Sequence, residues 1–99
     1  MILLLGGTSD SRELARSLDA AGHQVLVTTV SEYGGMLAGE SGLHQVLTGA
    51  LDADGLDEML RQYQVRILVD ATHPYAGQIS GLAMEAAERA GIRYCRFER

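Results

Sequence analysis

Short, continuously apolar runs alternate along this chain with longer amphipathic stretches. Ile2 to Leu5 is apolar at every position and stops at Gly6-Gly7. A run with no polar alternate suits a strand buried on both faces, as in a parallel sheet. Asp10, with Glu13 three residues on, reads as a helix start of the capping-box type. Leu14, Ala15, Leu18 and Ala21 then fall on one stripe, and Gly22 is placed to end the helix. Gln24 to Val30, with Val25, Leu26, Val27 and Val30, predicts a second buried strand. Residues 31–42 are rich in glycine, with at most one short helix around Tyr33 to Ala38. His44 to Thr48 is a weak third strand ended by Gly49. Asp54 caps a helix carrying Leu56, Met59, Leu60 and Tyr63. Arg66 to Val69 forms a fourth strand, followed by a loop from Asp70 to Gly77. The last helix presents Ile79, Leu82, Ala83, Ala86 and Ala87 and closes at Gly91, before a fifth strand over Arg93 to Phe97.

Strands alternating with helical stretches predict an α/β fold: a doubly wound, Rossmann-like sheet of five parallel strands with helices on both faces. With the order 3-2-1-4-5, right-handed crossovers place the first two connections on one face and the last two on the other. Strand five is then an edge, and its arginines fit an exposed role. The flavodoxin-like order 2-1-3-4-5 competes, and periodicity does not separate the two.

A length of 99 residues bounds this to a single domain spanning the whole chain, 1–99. The apolar fraction of 46% and charged fraction of 21% are those of a globular protein. Every basic residue is arginine, eight against thirteen acids, for a net charge of −5. So acidic a chain lacks the basic face that general nucleic-acid binding needs, and five aromatics without tryptophan offer no base-stacking platform. No stretch approaches the ~20 apolar residues of a membrane span. Met1 to Leu5 is too short for a signal segment and has no basic residue before it. The expected location is a reducing cytoplasm. The single cysteine, Cys95, sits in an alternating apolar run and reads as a buried structural residue. His23, His44 and His73 have no metal-ligand spacing, and no metal site is expected.

In an open parallel sheet, ligands bind beyond the carboxyl ends of the strands, where the order reverses, here between strands one and four. The segments meeting there are Gly6, Gly7, Thr8, Ser9 and Asp10 on one side and Asp70, Ala71, Thr72, His73 and Pro74 on the other. Two glycines before a helix start let a phosphate approach the backbone, and free amides and the helix dipole favour the anion. Thr8 and Ser9 add hydroxyl donors. The loop is neither G-x-G-x-x-G nor a Walker loop, since the chain has no lysine, and a plain tight turn is the competing reading. At the end of strand two, Thr28, Thr29 and Ser31 offer hydroxyls where an acid would repel a 2′-phosphate, which leans toward NADP. Ordinary β-branched strand residues are the alternative there. Pro74 keeps His73 out of helical geometry, so His73 either faces the cleft as ligand contact or proton donor, or bonds the loop backbone. Asp70 is a candidate carboxylate at the cleft, although an Asp that closes a strand is more often a turn or cap residue.

The opening ILLLGGTSDSRELA, then VTTVSEYGG, TGALD and above all ILVDATHPYA, resemble the precorrin-6A and cobalt-precorrin-6A reductase family of cobalamin biosynthesis. The terminal YCRFER is similar to the end of that family's first domain, so the resemblance runs the length of the chain. It implies an oxidoreductase with two Rossmann-like domains. Hydride passes from a reduced nicotinamide, NADPH or else NADH, to a carboxylate-rich tetrapyrrole in the cleft between them. By the same resemblance Gly6, Gly7, Thr8 and Ser9 hold cofactor phosphate, and Thr28, Thr29 and Ser31 lie near the adenosine ribose. Thr72, His73 and Pro74 face the nicotinamide and macrocycle, with His73 the candidate catalytic residue. Family members are more than twice this length. The chain is therefore expected to be an N-terminal half whose C-terminal partner domain is missing, inactive alone, and prone to self-association through the uncovered surface. A non-catalytic nucleotide-binding or regulatory α/β module is the alternative.

Overall fold

A computed structural model describes residues 1–29, 46–48, 52–73 and 77–97. The predicted short helix over 33–38, together with Ser31 and Pro74, lies outside them. The elements run β1 (Ile2–Leu5), α1 (Ser9–Ala20), β2 (Val25–Thr29), β3 (Val46–Thr48), α2 (Ala53–Gln62), β4 (Ile67–Asp70), α3 (Gly77–Ala90) and β5 (Arg93–Arg96). All strand pairings are parallel, in the order β3-β2-β1-β4-β5. The chain thus lays its first three strands outward from β1 on one side and returns to β1's other flank for β4 and β5. That excludes the flavodoxin-like order.

β1 carries both halves of the core, because successive strand side chains point to opposite faces. Leu3 and Leu5 pack with Leu26, Leu56, Leu60, Leu68, Ala83 and Ala86 under α2 and α3. Ile2 and Leu4 pack with Val25, Val27 and Ala15 under α1. Each buried leucine contributes roughly 2–3 kcal/mol of apolar transfer energy, so truncating Leu4 would remove packing that no surface residue replaces. On α3 the buried positions are Ala83, Ala86 and Ala87, whose small side chains seat the helix close to the sheet. An exposed Asp57–Arg89 ion pair at 3.0 Å joins α2 to α3. Among the described residues, no helix is long and apolar enough to cross a membrane.

Both predicted helix caps move two residues toward the N-terminus. Thr8, not Asp10, caps α1: it is extended, accepts the Ser11 amide on its hydroxyl at 3.0 Å, and donates its own amide to Ser11 Oγ at 3.1 Å. This reciprocal box uses Ser11 where Glu13 was expected. Asp52, not Asp54, caps α2, accepting from the Gly55 amide at 2.7 Å, while Asp54 supplies first-turn negative charge. In each case the earlier residue has the extended backbone that a cap requires. Gly22 and Gly91 end α1 and α3 in left-handed geometry, whereas α2 ends on Gln64 at φ 52.

Cys95 corrects a second expectation, being exposed rather than buried. It alternates with Tyr94 and Arg96 on the edge strand and shares the sheet face of α1, which packs over the central strands and does not reach it. The arginines of β5 divide on the expectation of exposure. Arg93 is exposed, but Arg96 turns inward onto Asp70.

Candidate functional site

The loops leaving β1 and β4 meet the end of β2 at the carboxyl end of the sheet. Gly6 donates its amide to the Thr28 carbonyl at 2.8 Å, and Ala71 donates to the Leu5 carbonyl at 3.0 Å. The glycine turn is thereby held between its two neighbours. The two glycines serve different ends. A Cβ on Gly6 would stand 3.2 Å from Ser11 Oγ and Val27 Cγ1 and 3.4 Å from the Thr28 carbonyl oxygen, so Gly6 is there for close packing. Gly7 sits at φ +110, and a Cβ there would meet none of the described residues within 4 Å. Its constraint is conformational, and the described residues leave the space beside it clear.

α1 runs 12 residues from this turn, long enough for its amides and dipole to favour an anion at its start. Thr8 is less available than its residue type suggests. Besides capping the helix, its hydroxyl donates to the Ala71 carbonyl at 3.2 Å and so straps the β1 loop to the β4 loop. Asp10 already places one negative charge in the first turn. A phosphate therefore has to come in over Gly7 and the exposed Ser9. Thr28 and Thr29 lie at the correct end of β2 but are 5% and 3% exposed, buried within the sheet.

On the other side of the switch point, the residues separate. His73 is exposed at the loop surface. Thr72 turns inward: its hydroxyl donates to Asp70 Oδ1 at 2.6 Å, and its amide donates to the same oxygen at 3.1 Å. Asp70, expected to be a turn or cap residue, is the fully buried centre of a polar cluster. The Tyr94 hydroxyl donates to its Oδ2 at 2.6 Å, and the Arg96 guanidinium lies 2.8 Å from its Oδ1. Burial alone would raise the Asp70 carboxyl. Hydrogen bonds from Ser80, Thr72, Tyr94 and the Thr72 amide outweigh it and hold the carboxyl below its ordinary range. Burial, and then the carboxylate it donates to, push the Tyr94 phenol up to about 12.

This cluster was not read from the sequence, although a signal was present. Asp70 ends an otherwise apolar strand, and Tyr94 and Arg96 share one face of a strand predicted to lie beside it. The parallel register then sets Asp70 opposite Arg96. A separate cavity of about 370 Å³, lined by Leu60, Val65 and Ile92 among others, lies at the amino ends of β4 and β5, away from this cleft.

The glycine turn, the helix start and the open space over Gly7 fit the phosphates of a dinucleotide; the buried threonines of β2 add no exposed hydroxyl. Comparison with known proteins adds a lineage. All of residues 1–99 match the model of a family described as precorrin-6x reductase CbiJ/CobK. A cobalt-precorrin-6A reductase of Methanocaldococcus jannaschii is 43% identical over 99 residues, covering 99% of this chain and 39% of that protein. A precorrin-6A reductase of Rhodococcus erythropolis is 43% identical over 94 residues, covering 92% of this chain and 36% of that protein. Among solved structures, a CobK precorrin-6A reductase superposes with a TM-score of 0.81 at 30% identity, covering 99% of this chain and 37% of that one. The chain thus spans about two fifths of the length of these relatives.

Proposed function

The chain belongs to the precorrin-6x reductase CbiJ/CobK family, and from that premise we propose that it is the nucleotide-binding portion of an oxidoreductase acting on a tetrapyrrole macrocycle in cobalamin biosynthesis. The nucleotide is a reduced nicotinamide, NADPH in preference to NADH, which when bound supplies a hydride to a conjugated carbon of the macrocycle. The observation that carries this reading is the open, left-handed Gly7 at the start of α1, facing the β4 loop across the point where the strand order reverses. Gly7 and Ser9 take the phosphates, with Gly6 and Thr8 shaping the turn that presents them. Thr28, Thr29 and Ser31 form the side toward the adenosine ribose.

Thr72, His73 and Pro74 line the nicotinamide side. Since the Thr72 hydroxyl is turned onto Asp70, Thr72 acts there through its backbone, and the exposed side chain is that of His73. An imidazole at this place can hold the proton that the conjugated system takes up after hydride addition. A single wall does not impose the near-contact geometry of hydride transfer, so the macrocycle needs a second wall beyond these residues to seat it. The setting proposed for this chemistry is the cytoplasm.

Titration with NADPH, read by nucleotide fluorescence and by thermal shift, tests the reading. Saturable binding is expected, with flavin mononucleotide inert. His73→Ala is expected to leave NADPH affinity within about twofold, since its role is toward substrate. Absence of NADPH binding by the folded chain, or binding of flavin alone, overturns the proposal in favour of a regulatory α/β module.

A further inference from the structure

Two consecutive carbonyls of the β4 loop are gripped from opposite sides. Thr8 donates to the Ala71 carbonyl from the α1 side at 3.2 Å, and Arg96 Nη2 donates to the Thr72 carbonyl from the β5 side at 2.9 Å. The next residue is His73. Arg96 does more than neutralise Asp70. Its Nη1 lies 2.8 Å from Asp70 Oδ1 and donates to Thr72 Oγ1 at 2.9 Å and to Ser80 Oγ at 3.3 Å. One planar fork thus joins the end of β4, the loop after it and the first turn of α3.

A buried ion pair is weak evidence of stabilisation, because an apolar pair of similar volume often serves a core equally well. An apolar pair cannot hold a carbonyl and a hydroxyl in one plane. Lysine cannot do so either, being a point charge without the fork. The arrangement is therefore suited to geometry more than to energy. It belongs to β5, an edge strand whose own side chains are not those of the glycine turn.

We infer that Arg96 is a positioning residue: seated on buried Asp70, its guanidinium holds the Thr72 backbone in place against the nicotinamide end of the bound nucleotide. This rests on the nucleotide reading above. It assigns Arg96 no contact with nucleotide or substrate.

Arg96→Lys, which keeps a charge opposite Asp70, tests it in the 99-residue chain, with Arg96→Met as the variant that removes the charge too. Two ligands separate the ends of the site: NADPH, and 2′,5′-ADP, which lacks the nicotinamide half. The expected result for a folded Arg96→Lys is about a tenfold rise in the NADPH Kd, with the 2′,5′-ADP Kd within about twofold. The Thr72 amide should exchange hydrogen faster while Leu4 and Leu26 keep their protection. Wild-type NADPH affinity and Thr72 exchange in Arg96→Lys would overturn the inference and leave the nucleotide reading standing. Equal losses for both ligands would also overturn it, pointing to general destabilisation. Should Arg96→Lys fail to fold, a folded Arg96→Met decides on the same ratio; failure of both makes Arg96 a core residue and overturns the inference. A wild-type chain that binds neither ligand overturns the nucleotide reading, and the inference with it.

Discussion

The Thr8 hydroxyl caps α1 and, with its own proton, bonds the Ala71 carbonyl at 3.2 Å. A single side chain therefore sets the start of the helix and ties together the two loops on either side of the switch point. Thr8→Val keeps the shape and removes both bonds. It should lower unfolding stability by about 1–2 kcal/mol, the upper range for a lost cap, with Thr8→Ser close to wild type. Urea denaturation of the two variants measures the difference, and an unchanged midpoint in Thr8→Val would contradict the double role.

Acid should weaken the fold through Asp70. Its carboxyl titrates lower in the folded chain than in the unfolded one, so the unfolded chain binds more protons between the two values. The associated stability is complete above the ordinary carboxylate pKa of about 4 and is lost as pH falls through the folded value. Tyr94 acts at the other end. Its phenol is raised to about 12, so stability is full below the ordinary value near 10 and is lost as pH rises through about 12. Thermal unfolding across pH should show both limbs, and Tyr94→Phe should lose the tyrosine part of the alkaline one. At neutral pH Asp70→Ala, which leaves the partly exposed Arg96 without its carboxylate, should cost about 1–3 kcal/mol.

The two glycines of the turn should fail differently. Gly6→Ala forces a methyl to 3.2 Å from Ser11 Oγ and Val27 Cγ1, and should reduce stability by about 1–3 kcal/mol. Gly7→Val clashes with none of the described residues but must hold a branched residue at φ +110 and fill the space above the turn. It should abolish NADPH binding out of proportion to its effect on folding. Circular dichroism beside a nucleotide titration separates the two, and unchanged NADPH affinity in a folded Gly7→Val would remove the turn from the site.

Gln64 occupies the left-handed position that ends α2, where the other helices use Gly22 and Gly91. The Val65 amide reaches back to the Leu60 carbonyl at 3.0 Å, so the turn itself is well formed. Gln64→Gly should therefore raise stability by about 1 kcal/mol, by relieving the strain of a Cβ at positive φ. A lower denaturation midpoint in that variant would show that the Gln64 side chain has an offsetting contact.

The sequence by itself determined the α/β class, because a strand buried on both faces must be apolar throughout and a helix on its surface must carry a stripe. Ile2 to Leu5 and the repeats of Leu14, Ala15 and Leu18 show both periods without any tertiary information. It also located the glycine turn, since a strand that stops at Gly6-Gly7 before a helix has few other uses. What only the tertiary structure decided are the relations between elements. Periodicity left two strand orders open, and pairing on both flanks of β1 chose between them. Burial followed neighbours rather than residue type. Cys95 is exposed because, among the described residues, no helix covers its face of the edge strand, while Asp70, charged and at a strand end, is buried because the register sets Arg96 opposite and Tyr94 within reach. Local pattern reports how often a side chain faces inward, but which partner waits there depends on strands that are distant in the chain.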